Sequence, residues 1–153
     1  MQTETMRLRE LTVRYSVKKD GDGQPVVVGR ALNAPKDAAS ALVTLLQDEP
    51  SEVFVILCLN TKHRVIAYHE VSRGTLDSTP VHPREVFKAA ILANAAAIIV
   101  CHNHPSGDPS PSLDDLEVTK RLVATGAVLG IDVLDHIVVG DGRYYSFKEG
   151  SRL

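Results

Sequence analysis

The sequence predicts an α/β (α+β) domain, a mixed β-sheet flanked by helices. Three observations lead there. Val53 to Leu59, Ala95 to Cys101 and Ile131 to Val139 are nearly unbroken apolar runs, the pattern of strands covered on both faces. Stretches with apolar residues at helical spacing alternate with them. Strand–turn–strand signals stand at both ends. Alternation of this kind gives helix and sheet layers around one core. The chain's 153 residues, 44% hydrophobic and 24% charged, suffice for such a core.

The elements follow in order. Leu11, Val13, Tyr15 and Val17 alternate with polar residues, which is strand periodicity. Asp20-Gly21-Asp22-Gly23 is a turn, and a second strand begins at Pro25 and reaches Val28, so residues 1–34 read as a β-hairpin extension. Pro35 suits the first position of a helix running to about Gln47, with Ala38, Ala41, Leu42 and Leu45 on one face. Val53–Leu59 is a central strand. Asn60 to His63 turn into its hairpin partner, Arg64 to Val71, and Gly74 to Pro80 form a loop. Pro83 to Asn94 reads as a helix buried along Val86, Phe87, Ala90 and Ile91. The strand 95–101 leads into a loop rich in proline. Ser112 to Val128 is a third helix, with Leu116, Leu122, Val123 and Ala127 inward and Gly130 ending it. Ile131–Val139 is a buried strand, Tyr144–Phe147 a short last one, and residues 148–153 a polar tail. The expected organisation is a single domain over 1–153 whose core spans 35–147.

Composition narrows the function classes. A net charge of -2 gives no overall basic field for nucleic acid. Cys58 and Cys101 lie inside apolar runs and read as buried thiols in a reducing compartment; no Cys-x-x-Cys pair exists for a cysteine-based zinc site. The N-terminus lacks an apolar signal core and no run reaches membrane-spanning length, so a cytoplasmic protein away from membranes is expected.

The chemistry concentrates in His102 to Asp115. Residues two apart on a strand point to the same side, so His102 and His104 aim two imidazoles at one place where the strand ends. A lone histidine beside a core strand is most often structural; two at this spacing, followed by a loop and an acid, suit a tetrahedral zinc with one position left for water. Asn103 between them faces away and fixes the loop. Ser112-x-x-Asp115 is also a capping-box pattern, and Asp114 competes with Asp115 for the ligand role. Glu52, Glu70, Glu85 and Glu117 are the candidates for a base. Glu52, at the start of the most apolar strand, is the least expected there as a mere surface carboxylate. His136 reads first as structural, with support of the site as the alternative. His82 would shape a helix start, Arg84 would line the cleft or be solvated, and His63 and His69 read as surface residues. The letters His102-Asn103-His104 are not the HNH nuclease pattern, which spreads over a hairpin and helix, and the Cys-x-x-Cys half of the deaminase signature is missing.

Glu52, then His102-x-His104, seven residues, Ser112, two residues and Asp115 resembles the JAMM pattern of the MPN/JAB-domain metalloproteases. His102 to Pro109, with Val81-His82-Pro83-Arg84-Glu85-Val86 before and Leu134-Asp135-His136 after, is similar to the RadC branch. The likeness covers about residues 35 to 147. It implies a mixed sheet like that of cytidine deaminases, zinc bound by His102, His104 and Asp115, Glu52 as general acid/base and Ser112 as stabiliser of the oxyanion. It also implies a metallopeptidase acting on a peptide or isopeptide bond in a protein substrate. The RadC branch has an old association with DNA repair, and its full-length members usually carry an N-terminal helix-hairpin-helix region. Residues 1–34 contain no such pair of helices, which weakens an inference of DNA binding. The alternative is a DNA-associated or protein-binding module with a vestigial or structural zinc site. Zinc-dependent phosphodiester hydrolysis would need a basic groove that the composition does not suggest.

Overall fold

All seven residues of β1, Val53–Leu59, are buried, as an unbroken apolar run requires. The computed structural model describes residues 7–26, 32–74 and 81–153. In them β1 lies inside a five-stranded sheet with β2 (Val65–Arg73), β3 (Ala97–Asn103), β4 (Asp132–Gly140) and β5 (Arg143–Ser146), in the order β2-β1-β3-β4-β5. Only β3 and β4 pair in parallel. Parallel neighbours need a long crossover, and α3 (Leu113–Leu129) supplies it.

Period-two alternation splits the core into two layers. Val53, Val55, Leu57 and Leu59 face α1 (Pro35–Leu46), whose Ala38, Leu42 and Leu46 are buried against them. Phe54, Ile56 and Cys58 face the opposite layer, built from α2 (Pro83–Leu92) and α3 through Val86, Phe87, Ala90 and Leu122. The architecture is the mixed sheet flanked by helices that the sequence predicts. None of the helices among the described residues is long and apolar enough to cross a membrane.

One irregularity governs the site. Ile98 pairs with Val133, but Ile99 pairs with Asp135, so Leu134 is an extra residue in β4. Such a bulge reverses the alternation beyond it. His136, opposite Val100, thereby joins the α3 layer, while Ile137 and Val139 join the α1 layer.

Several sequence expectations need correction. No strand occurs over Leu11–Val17, and the segment is exposed, Leu11 at 78% and Tyr15 at 63%. The turn is present, closed by the single bridge Lys19–Pro25; the rest of the expected second strand, 27–28, lies outside the described residues. On α1 the fully buried residues are Ala38, Ala39, Leu42 and Leu46, while Leu45 packs partly buried against the same core and Ala41 is half-buried. Ile91 is 53% exposed; the buried stripe of α2 runs through Val86, Phe87 and Ala90. On α3 the buried residues are Thr119, Leu122 and Gly126, and Ala127 is exposed. Gly126 explains that rotation: a Cβ there would come within 2.3 Å of the Ile131 carbonyl oxygen, so only glycine lets the helix lie this close to the chain leading into β4.

Candidate metal centre

β3 runs two residues past the apolar stretch, so His102 is still strand, paired with Phe54, and 1% exposed. His104 follows where the strand ends. Its N–H donates to the Val139 carbonyl at 2.8 Å, which keeps it in line with β4. The two imidazoles meet with Nε2 atoms 3.0 Å apart. Asp115 approaches from the first turn of α3, Oδ1 3.2 Å from His102 Nε2 and Oδ2 3.1 Å from His104 Nε2.

The capping box sets that approach. The Asp115 N–H donates to Ser112 Oγ at 3.1 Å, and the Ser112 N–H donates to Asp115 Oδ2 at 2.8 Å. The capping reading and the site reading of Asp115 are therefore both realised in one side chain. Asp114, its neighbour, is exposed and outside the cluster.

Glu52 completes the group from across the sheet. Its Oε1 stands 3.8 Å from His102 Nε2, and its side chain is 41% exposed against 13% for Asp115. Asn103 fixes this position. Its Oδ1 accepts from the Val53 N–H at 2.7 Å and its Nδ2 donates to the Ser51 carbonyl at 3.0 Å. The side chain facing away from the centre thus clamps both neighbours of Glu52. The ligand atoms of Glu52, His102, His104 and Asp115 all lie within 4.8 Å of one another.

The donor set fits a metal ion. Ligand atoms about 2.0–2.1 Å from a tetrahedral ion lie roughly 3.3–3.4 Å apart, close to the spacings of the three nearest groups. Hydrogen bonding agrees. His104 Nδ1 lies 2.8 Å from the Asp108 carbonyl, which can only accept, so Nδ1 carries the hydrogen and neutral His104 presents a lone pair at Nε2. That lone pair faces a carboxylate oxygen, and two electron-rich atoms at 3.1 Å need a proton or a cation between them. The titration shifts carry the same information. The Asp115 hydrogen bond raises the pKa of His104 against the pull of burial. Burial opposes the Asp115 carboxylate, but its contacts with the His102 and His104 rings outweigh it and hold its pKa well below the usual carboxylate range.

The other candidates are placed elsewhere. Glu70 is exposed and bonded to Arg73, Glu85 pairs with Lys88, and Glu117 is exposed on α3. Arg84 is 82% exposed, and His82 precedes α2 as its N-cap. Ser112 Oγ is engaged as acceptor in the cap, with its own proton not used there. His136 is buried with its Nε2 2.8 Å from His102 Nδ1, and burial pushes its pKa well below the ordinary imidazole value.

Residues 32–152 match the family model described as the RadC-like JAB domain. A UPF0758 protein of Alkaliphilus metalliredigens is 52% identical over 122 residues, 80% of this chain and 53% of that protein. One of Methanosarcina barkeri is 48% identical over 120 residues, 78% of this chain and 52% of its own. One of Desulforudis audaxviator is 47% identical over 135 residues, 88% and 56% respectively. The chain spans about half the length of the curated relatives it matches.

Proposed function

This chain belongs to the RadC-like JAB domain family, and from that premise we propose that it is a zinc-dependent metallopeptidase or isopeptidase of the JAMM type. The observation that carries the reading is the convergence of Glu52, His102, His104 and Asp115, with the carboxylate of Glu52 standing off at the open side. His102 and His104, through Nε2, and Asp115, through a carboxylate oxygen, would hold the ion. A bound zinc supplies Lewis acidity, bringing water toward a pKa of about 7 and polarising a carbonyl.

The remaining work falls to this chain's side chains. Glu52 reaches the centre from the solvent side, where a substrate carbonyl and a water can both arrive. Its carboxylate takes the proton of the attacking water and returns it to the departing amine nitrogen, so the acyl–nitrogen bond breaks without releasing an amide anion. Ser112 donates its unused hydroxyl proton to the oxygen that gains charge. The substrate is a peptide or isopeptide bond in a protein. Cys58 and Cys101 are buried thiols, with burial raising the pKa of Cys58 to about 11, which suits reaction in the reducing cytoplasm.

Glu52→Gln tests the reading. The substitution keeps size and hydrogen bonding and removes the base. Zinc content and melting temperature are expected to stay at the wild-type level. Hydrolysis of a responsive member of a peptide and isopeptide panel is expected to fall by about 10² or more. Turnover undiminished in Glu52→Gln would sink the mechanism.

A further inference from the structure

Behind the centre, a chain of side chains runs through the core and ends on the backbone of one of the residues that face the metal position. Thr119 Oγ1 lies 2.6 Å from the Asp115 carbonyl oxygen and 2.5 Å from His136 Nδ1. His136 Nε2 lies 2.8 Å from His102 Nδ1. His102 Nε2 faces Asp115 Oδ1 at 3.2 Å, which closes the loop.

Hydrogen accounting assigns the direction of every bond. A carbonyl only accepts, so the one hydroxyl proton of Thr119 goes to Asp115. Thr119 Oγ1 must then accept from His136, which places the hydrogen of His136 on Nδ1. The ring of His136 is fully buried, stacked 4.7 Å from Phe147 and edge-on to Phe54, surroundings that keep an imidazole neutral. A neutral ring with hydrogen on Nδ1 offers a lone pair at Nε2, so His102 must donate from its own Nδ1. His102 is then left with its lone pair at Nε2, aimed at the cluster.

We propose that Thr119 and His136 are positioning residues that lock His102 in the Nδ1–H tautomer, so that its Nε2 lone pair is ready before the metal arrives. The inference rests on the reading of His102 as a metal ligand. The lock has an opponent. Asp115 Oδ1, 3.2 Å away, with His104 Nε2 at 3.0 Å, favours a proton on His102 Nε2, and any such proton must be displaced by the incoming ion. The relay's two bonds, 2.5 and 2.8 Å, are shorter and lie in a drier place, and they hold the proton on the far side.

Thr119→Val removes the hydroxyl and keeps the shape; Thr119→Ser keeps the hydroxyl. Histidine side-chain nitrogen NMR on the metal-free full chain at pH 8 reads each tautomer directly, and competition with a chromophoric chelator gives the zinc affinity. Wild type and Thr119→Ser are expected to show His102 and His136 both as Nδ1–H. Thr119→Val is expected to move both toward Nε2–H and to weaken zinc binding about 10–100-fold, the scale of lost outer hydrogen bonds at metal sites. An Nε2–H signal for His102 in metal-free wild type overturns the proposal without any variant. So does an unchanged His102 signal in Thr119→Val, or a Thr119→Ser protein as impaired as Thr119→Val. His102→Ala separates the two ideas. Zinc affinity undiminished in that variant would remove the metal reading, whereas the tautomers of the wild type judge the lock.

Discussion

At the scale of single residues, the metal-free centre is held by protons standing where an ion belongs, and this gives it a pH signature. The folded pKa of His104 is raised by Asp115, so its contribution to stability is complete below the unfolded value of about 6.5 and is lost as pH rises through the folded value. The pKa of Asp115 is lowered, so its contribution is present above the unfolded value of about 3.9 and is lost on acidification. His136, whose pKa burial holds well below the ordinary imidazole value, opposes His104 below about pH 6.5, so the chelated protein is expected to lose melting temperature most steeply below about pH 4, where Asp115 and His136 act together. Zinc competes with the same protons, so the increment in melting temperature on adding zinc should grow from pH 6 to 8. Differential scanning calorimetry of both forms across this range checks it. A zinc increment that shrinks with pH would mean that the histidines are not where the ion binds.

At the scale of elements, the centre depends on how closely the loop after β3 lies on the end of β4. A Cβ at Gly140 would come within 2.7 Å of the Gly107 carbonyl oxygen, and that turn also carries the Asp108 carbonyl that orients His104. Gly140→Ala should push the loop outward, costing about 1–3 kcal/mol of stability and weakening zinc binding. Gly21→Ala, where nothing lies within 4 Å, should leave both unchanged. Denaturant melts and chelator competition on the pair check this, and equal behaviour would remove the loop from the account. The same elements show what a sequence carries. The runs forming β1 and β3 are legible because both faces are buried, and alternation then adds nothing to decode. His102-x-His104 and Asp115 are legible because strand and capping geometry are local. The bulge at Leu134 is not, since it exists only relative to β3, and with it goes the reason His136 reaches the centre. Thr119 is hidden for a related cause. Apolar periodicity on α3 points to Val123, which does pack against the core, and to Ala127, which is exposed, whereas the helix also packs through Gly126 and presents a hydroxyl to a buried ring. The exposed alternation of Leu11 to Val17 is the opposite error, a strand pattern with no strand beside it among the described residues.

At the scale of the whole molecule, the residues that match the family contain both core layers and all four side chains of the centre. The centre sits at the edge of that core and is not its nucleus. One layer, from α1 to Leu57 and Ile137, contains none of the four side chains. In the other, His102 is held by its bond to His136 and its stacking on Phe54, 5.9 Å between centroids, contacts made within the protein itself. Removal of the metal should therefore leave the sheet and helices in place. It should lower stability only by what ligand linkage gives, about 2.7 kcal/mol at a hundredfold excess of zinc over its dissociation constant. A cavity in the core is a different injury. Leu57, 1% exposed in the middle of β1, should cost about 2–5 kcal/mol when cut to alanine, with or without zinc. Far-UV circular dichroism and urea melts of wild type and Leu57→Ala, each loaded and chelated, separate the two effects. Independent effects should add, because Leu57 faces α1 and the centre lies in the opposite layer. Loss of most helical signal on chelation of the wild type would instead make the metal part of the fold, and the centre structural in origin.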